Sequence, residues 1–252
     1  MVSPTLSRYW REARSPRYSL MFALPLLLLY EVLAFALSRG EVAGVRNGAD
    51  VLLKSLFITF GGRAGLTVFG ALVLGGGAVL VWRDYRRAGR IEVRNFAWMT
   101  LESILYALAF GLVAGTLTAM LLPGMVLVGP ASPLAASAAA GFNLPTQLMI
   151  SLGAGIYEEL LFRVMLVGGL AWLGNRMMGM SRTSAGVFAT VLGALIFAAF
   201  HYIGPYGDPL ALGSFTFRAI GGLLFSGLYL LRGFGITAWT HALYDVFLAV
   251  GA

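Results

Sequence analysis

Apolar residues recur along this chain in long runs rather than in the short amphipathic stretches of a soluble domain. The runs cover about residues 18–37, 64–82, 96–122, 145–173, 185–203, 214–231 and 236–250. Most reach the ~20 residues that carry a helix across a bilayer. The pattern predicts an all-α, polytopic membrane bundle of about seven transmembrane helices. An additional apolar segment, 51–60, is short and carries Lys54, so it is expected to lie at the interface or to re-enter rather than span. The first run is long for the core of a signal peptide, is interrupted by Glu31 and has no clean small-residue cleavage site after it. It therefore reads as a retained span. No internal repeat and no linker divides the chain, so residues 1–252 are expected to form a single membrane domain.

Basic residues orient the spans. With the N-terminus in the cytoplasm, twelve fall inside: Arg8, Arg11, Arg14 and Arg17, five arginines between Arg83 and Arg94, then Arg176, Arg182 and Arg232. Arg39, Arg46, Lys54 and Arg63 fall outside, and Arg163 and Arg218 lie within spans. Counting 51–60 as a span would put the arginine-rich loop outside, against the positive-inside rule. Seven spans and a cytoplasmic N-terminus follow.

Composition agrees. Hydrophobic residues make up 59% of the chain and charged residues 12%, with a mean hydropathy of +0.82, whereas soluble domains carry about 25% charge. The 33 glycines suit closely packed membrane helices. The absence of cysteine excludes disulfides, thiolate metal sites and a Cys nucleophile. The net charge of +7 reports orientation and contact with anionic lipid head groups rather than nucleic-acid binding. A prokaryotic plasma (inner) membrane is the expected location.

Against this background the stretch Tyr157-Glu158-Glu159-Leu160-Leu161-Phe162-Arg163 is chemically conspicuous. A charge at mid-bilayer depth costs roughly 2.5–3.5 kcal/mol even on insertion scales, so such a cluster reads as a functional site facing protein or a wet cavity. Glu159 and Arg163 stand four apart in the favourable order for a helical ion pair, and are expected to be a structural pair. On an α-helix Glu158 points about 100° away. An unpaired carboxylate in such surroundings suits general-base work, which makes Glu158 the candidate reactive acid. The chain's two histidines lie in later spans, in Phe197-Ala-Ala-Phe-His201 and in His241-Ala-Leu-Tyr-Asp245. His241 and Asp245, four apart, share a helix face. The blander reading of each His is an interhelical hydrogen bond, and of the acidic cluster a buried charge network that fixes helix register. Glu31, Glu102 and Arg218 are explained by snorkelling or local pairing. The loops 123–144 and 204–213 are candidate gates.

Glu-Glu-x-x-x-Arg at 158–163, Phe-x-x-x-His at 197–201 and His-x-x-x-Asp at 241–245, in that order, resemble the three motifs of the CPBP family. This is the group of intramembrane proteases that includes type II CAAX prenyl endopeptidases and Abi-like bacteriocin-processing and immunity proteins. The resemblance covers about 145–250 as a catalytic core, and residues 1–144 carry no recognised motif. It implies an intramembrane endopeptidase cutting a membrane-associated peptide or protein tail, with Glu158, His201, His241 and Asp245 lining the site. Glu159, Arg163 and Phe197 would support them. Two chemistries stay open. In one, Glu158 and His201 activate water while His241 and residue 245 stabilise the oxyanion. In the other, Glu158, His201, His241 and Asp245 bind a divalent metal such as Zn²⁺. The prenyl endopeptidases have Asn where this chain has Asp245. An ionised carboxylate would repel an oxyanion, so Asp245 must be protonated, orient His241 or ligate a cation, and the difference leans towards a metal. Two other function classes compete: an ion- or proton-coupled transporter using the same acids and histidines as a relay, and a non-catalytic immunity or scaffold protein. Along the expected spans Glu158 falls near mid-membrane, His201 near the outer end and His241 near the inner end. Tilted or broken helices are needed to bring them together.

Overall fold

A computed structural model describes residues 4–38, 44–123, 141–204 and 207–251, and among them every regular element is helical. In chain order these are α1 (Pro4–Ala13), α2 (Pro16–Leu37) and α3 (Gly48–Gly61), then α4, which runs as Gly65–Gly70, a wide turn Ala71–Gly75 and Gly76–Ala88. After them come α5 (Val93–Leu121) and α6, composed of Leu144–Gly153, a π-wound stretch Ala154–Val167 and Gly168–Arg176. The chain ends with α7 (Arg182–Phe200), α8 (Leu212–Arg232) and α9 (Phe234–Gly251). The starts are chemically marked. Asn143 accepts from the Thr146 amide ahead of Pro145 in the first turn, and Ser181 accepts from the Ser184 amide, as N-caps do.

Among the described residues five helical segments are long and apolar enough to cross a membrane: Pro16–Leu37, Gly48–Ala88, Val93–Leu121, Arg182–Phe200 and Leu212–Arg232. The two expected spans missing from that set, α6 and α9, are those that carry Glu158, Glu159, Arg163, His241 and Asp245. Their polar groups lower the hydropathy that identifies the others. The segment Gly48–Ala88 is bent, not straight. Gly62 takes φ +54°, and a Cβ on Gly65 would stand 2.1 Å from the Phe57 carbonyl oxygen, so the chain doubles back there. That leaves α3 with 14 residues, about 21 Å at 1.5 Å per residue, which is shorter than the ~30 Å hydrocarbon core.

Helix α9 sits at the centre. Ala238 and Ala242 pack with Tyr30, Leu53, Met149 and Ile156 from α2, α3 and α6. Tyr244 packs with Phe110 and Phe225 from α5 and α8. Ile236 joins Tyr18, Phe22 and Met99 from α2 and α5. The opposite faces are apolar and open: Val32, Phe35, Leu112 and Met120 are all largely exposed, as befits helices whose solvent is lipid.

Small residues bring α6 onto this central helix. A Cβ on Gly155 would stand 2.4 Å from the Ala238 carbonyl oxygen and 2.6 Å from the Ala242 Cβ. Backbone cannot yield as a flexible side chain can, so Gly155→Ala is expected to force the helices apart and destabilise the fold by about 1–3 kcal/mol. A lowered unfolding midpoint in detergent, with activity falling alongside, is the check. A variant as stable as the wild type would show that the contact is not tight.

Candidate active site

Glu158 and Glu159 lie in the π-wound part of α6, not on the regular α-helix that their spacing suggested. Such wide turns are rare and concentrate at functional sites. Both carboxylates are buried, Glu159 completely. The expected pair forms, with Arg163 Nε 3.2 Å from Glu159 Oε2. Arg163 is itself fully buried, and its guanidinium lies over the rings of Phe197 and Phe225 at 4.4 and 5.4 Å from their centroids. Aromatic faces and one carboxylate together hold this cation in an apolar interior.

Glu159 has a second task that spacing did not reveal. Its Oε1 is 2.7 Å from His241 Nδ1. A carboxylate accepts, so the ring donates Nδ1–H and its Nε2 points the other way, towards Asp245 Oδ2 at 3.7 Å. The His241 ring stacks on Phe225 at 4.3 Å. The i,i+4 partner is thus the looser contact, and the acid from α6 is the hydrogen-bonded one.

His201 caps the C-terminal end of α7. Its Nδ1 is 2.9 Å from the Phe197 carbonyl, which can only accept. In the neutral ring Nε2 therefore carries the lone pair, and this atom faces Glu158 Oε2 at 4.0 Å. Phe197 supports the site twice, as that acceptor and as the ring beneath Arg163. The loop after His201 is tied back to it: the Asp208 amide donates to the His201 carbonyl at 2.9 Å, and the Asp208 carboxylate pairs with Arg218.

The expected mismatch in depth disappears for a simple reason. Glu158 and His201 lie nearly equal numbers of residues on either side of the 177–181 turn that joins α6 to α7. Helix α6 begins well before Glu158 and is longer than α7, so the middle of α6 stands level with the end of α7.

Asn47 was not legible as a site residue. It precedes α3, yet its Nδ2 donates to Glu158 Oε1 at 2.9 Å. Nor were the partners of the half-buried acids local. Glu31 joins Arg46 at 2.7 Å, Lys54 at 3.0 Å and the Tyr157 hydroxyl at 2.6 Å. Glu102 meets Arg232 and Tyr9, each at 2.7 Å. Of the candidate gates, residues 124–140 and 205–206 lie outside the described residues.

The donors are of the kinds zinc takes, with each Nδ1 anchored as a metal-bound histidine's usually is. Among the described residues, however, no three His, Asp or Glu side chains converge as a metal ion requires. The arrangement as it stands does not fit a metal.

Residues 140–247 match the family model described as type II CAAX prenyl endopeptidase Rce1-like. Over this stretch, somewhat less than half of its length, the chain is similar to the type II CAAX prenyl endopeptidases of the CPBP family. No curated protein and no solved structure matches it. The matched region contains α6 to α8, most of α9 and all four expected catalytic residues, while Asn47 lies before it. The match and the apolar helices support an integral, multi-pass membrane protein with a protease region of the CAAX-endopeptidase type, a hydrolase acting on a peptide or protein.

Proposed function

We propose that the protein is a glutamate-type intramembrane endopeptidase that hydrolyses a peptide bond in a membrane-associated tail. The observation that carries this reading is the facing pair Glu158 Oε2 and His201 Nε2, 4.0 Å apart. That separation suits one water bridging two acceptors, each of which can draw a proton from it. Among the described residues Glu158 Oε2 has no hydrogen-bond partner, so it is free for that task. The water loses a proton to Glu158 as its oxygen bonds to the scissile carbonyl carbon. The C–N bond then breaks, and the amine leaves with the proton returned by Glu158 or His201.

Charge develops on the carbonyl oxygen during attack. With its Nδ1–H committed to Glu159, a second proton on Nε2 gives His241 a donor for that oxyanion. Asp245 Oδ2, 3.7 Å from the same nitrogen, favours that second proton. This role agrees with Asp at a position where the prenyl endopeptidases have Asn, because the residue need not touch the oxyanion itself.

Cleavage of an internally quenched CAAX-type peptide in vesicles, prenylated and unmodified, tests the reading. Wild type is expected to cut at least one of them with full rate after chelator treatment. His201→Ala is expected to lose about a hundredfold in kcat, the lower part of the range for removal of a proton-transfer partner. Loss of activity on chelation, restored by zinc, would overturn the glutamate mechanism. A His201→Ala enzyme as fast as wild type would overturn the site.

A further inference from the structure

Asn47 lies outside the 140–247 match and outside all three motifs, yet its amide touches the carboxylate proposed as the base. We infer that Asn47 is a positioning residue of the active site, holding Glu158 Oε1 so that Oε2 alone faces His201 and the water. This rests on the proposed role of Glu158 and adds a component from the N-terminal half of the chain.

The orientation of the Asn47 amide follows from its partners. Oδ1 accepts from the Ala49 amide at 2.9 Å as the N-cap of α3. Nδ2 is therefore the end that meets Glu158. A flipped amide would set oxygen against carboxylate and lose the cap. An N-cap needs only an oxygen, and most stand in water. Asn47 is 3% exposed, where an amide nitrogen without a partner would cost about 1–3 kcal/mol. Glu158 supplies that partner, and in return a carboxylate that could otherwise rotate is fixed.

The corner that carries Asn47 is held on several sides. Its backbone N–H donates to the Tyr30 hydroxyl at 3.3 Å, and that hydroxyl donates to Asp50 Oδ2 at 2.7 Å. Asp50, fully buried, pairs with Arg46 and with Lys54. Both cations also reach Glu31, which accepts from Tyr157, the residue next to Glu158. Two acids and two bases thus close a formally neutral network between the α2–α3 corner and the catalytic helix. Gly153 completes the fit, because a Cβ there would stand 2.6 Å from that of Asn47. So much fixed structure around one amide is more than a helix cap requires.

The groups facing Glu158 are Asn47 from the corner, Glu159 and Arg163 from its own helix, His201 from α7, and His241 with Asp245 from α9. Of these only Asn47 donates a hydrogen bond to it.

Asn47→Asp and Asn47→Ser, in the full chain in vesicles with the same quenched peptides, separate positioning from capping. Asp and Ser cap helices about as well as Asn, so Asn47→Ser is expected to keep most of the wild-type unfolding midpoint, whereas the buried like charge of Asn47→Asp is expected to lower it. Asp replaces the donor with a like charge, whereas Ser only removes it. The expected result is an unchanged KM, with kcat falling about tenfold for Ser and about a hundredfold for Asp, the scale on which a misplaced catalytic group loses rate. Wild-type kcat in Asn47→Asp would overturn the inference. So would a loss of kcat in both variants that only tracks a lowered midpoint, since Asn47 would then be purely structural. Glu158→Gln serves as the reference. If that variant is inactive while Asn47→Asp is normal, only this inference falls. If it is active, the role given to Glu158 falls first.

Discussion

Glu158→Gln is expected to abolish hydrolysis while leaving the bundle folded. Glutamine has the size of glutamate, and its amide oxygen can still accept the Asn47 bond at the Oε1 position. It cannot take a proton from water. General-base catalysis contributes typically 10²–10⁴-fold, which corresponds to about 3–5 kcal/mol at 1.36 kcal/mol per tenfold. A kcat lower by about a thousandfold is the central expectation. Substrate affinity, read from peptide binding to the inactive variant, should hold within a few fold, because the change removes a group used in the transition state rather than in binding. The unfolding midpoint should not fall, since exchanging a buried carboxylate for an amide relieves desolvation. A Glu158→Gln enzyme within tenfold of wild type would show that another group activates the water.

How much of this was legible in the sequence differs between fold and site. The spans were, because a bilayer accepts few alternatives to a long apolar helix. The expected 96–122 became Val93–Leu121 and 214–231 became Leu212–Arg232. The short 51–60 segment stood out by length and Lys54, and it falls within the bent stretch Gly48–Ala88, whose reversal at Gly62 depends on packing against Phe57. In the site, residue types and spacing pointed to Glu158, His201, His241 and Asp245, but not to how they divide the work. An α-helical wheel assumes a regular turn, and Ala154–Val167 does not wind that way. The Glu159–His241 bond joins residues 82 positions apart and Asn47–Glu158 joins residues 111 apart. Periodicity carries no information about such contacts. A signal for Asn47 did exist in hindsight. An Asn ahead of Gly-Ala-Asp reads as a helix cap, and Arg46, Asp50 and Lys54 at i,i+4 spacing predict an ion-paired face. Neither feature says that the cap's other end reaches Glu158.

Glu159→Leu should have the largest effect on stability. It strands Arg163, whose side chain is 1% exposed and whose only carboxylate partner among the described residues is Glu159 at 3.2 Å. Removing one member of a buried pair costs about 3–5 kcal/mol, because the remaining charge stays desolvated. The rings of Phe197 and Phe225 offset a cation–π share of this, about 2 kcal/mol at most in a dry site, and so cannot replace the carboxylate. Activity should vanish too, since His241 Nδ1 loses its acceptor. The double variant Glu159→Leu with Arg163→Met separates the two losses. Two apolar side chains of similar volume often replace a buried ion pair at little cost, and Met packs well against aromatic faces. Most of the lost stability should therefore return, with a non-additive coupling of at least about 2 kcal/mol in the double-mutant cycle. Activity should not return, because nothing then fixes the His241 ring. Recovery of both would make Glu159 a partner of Arg163 alone, as its spacing first suggested. Recovery of stability without activity would assign it both tasks, one carboxylate oxygen to each: Oε2 for the cation that keeps the helix in place, Oε1 for the histidine that meets the oxyanion.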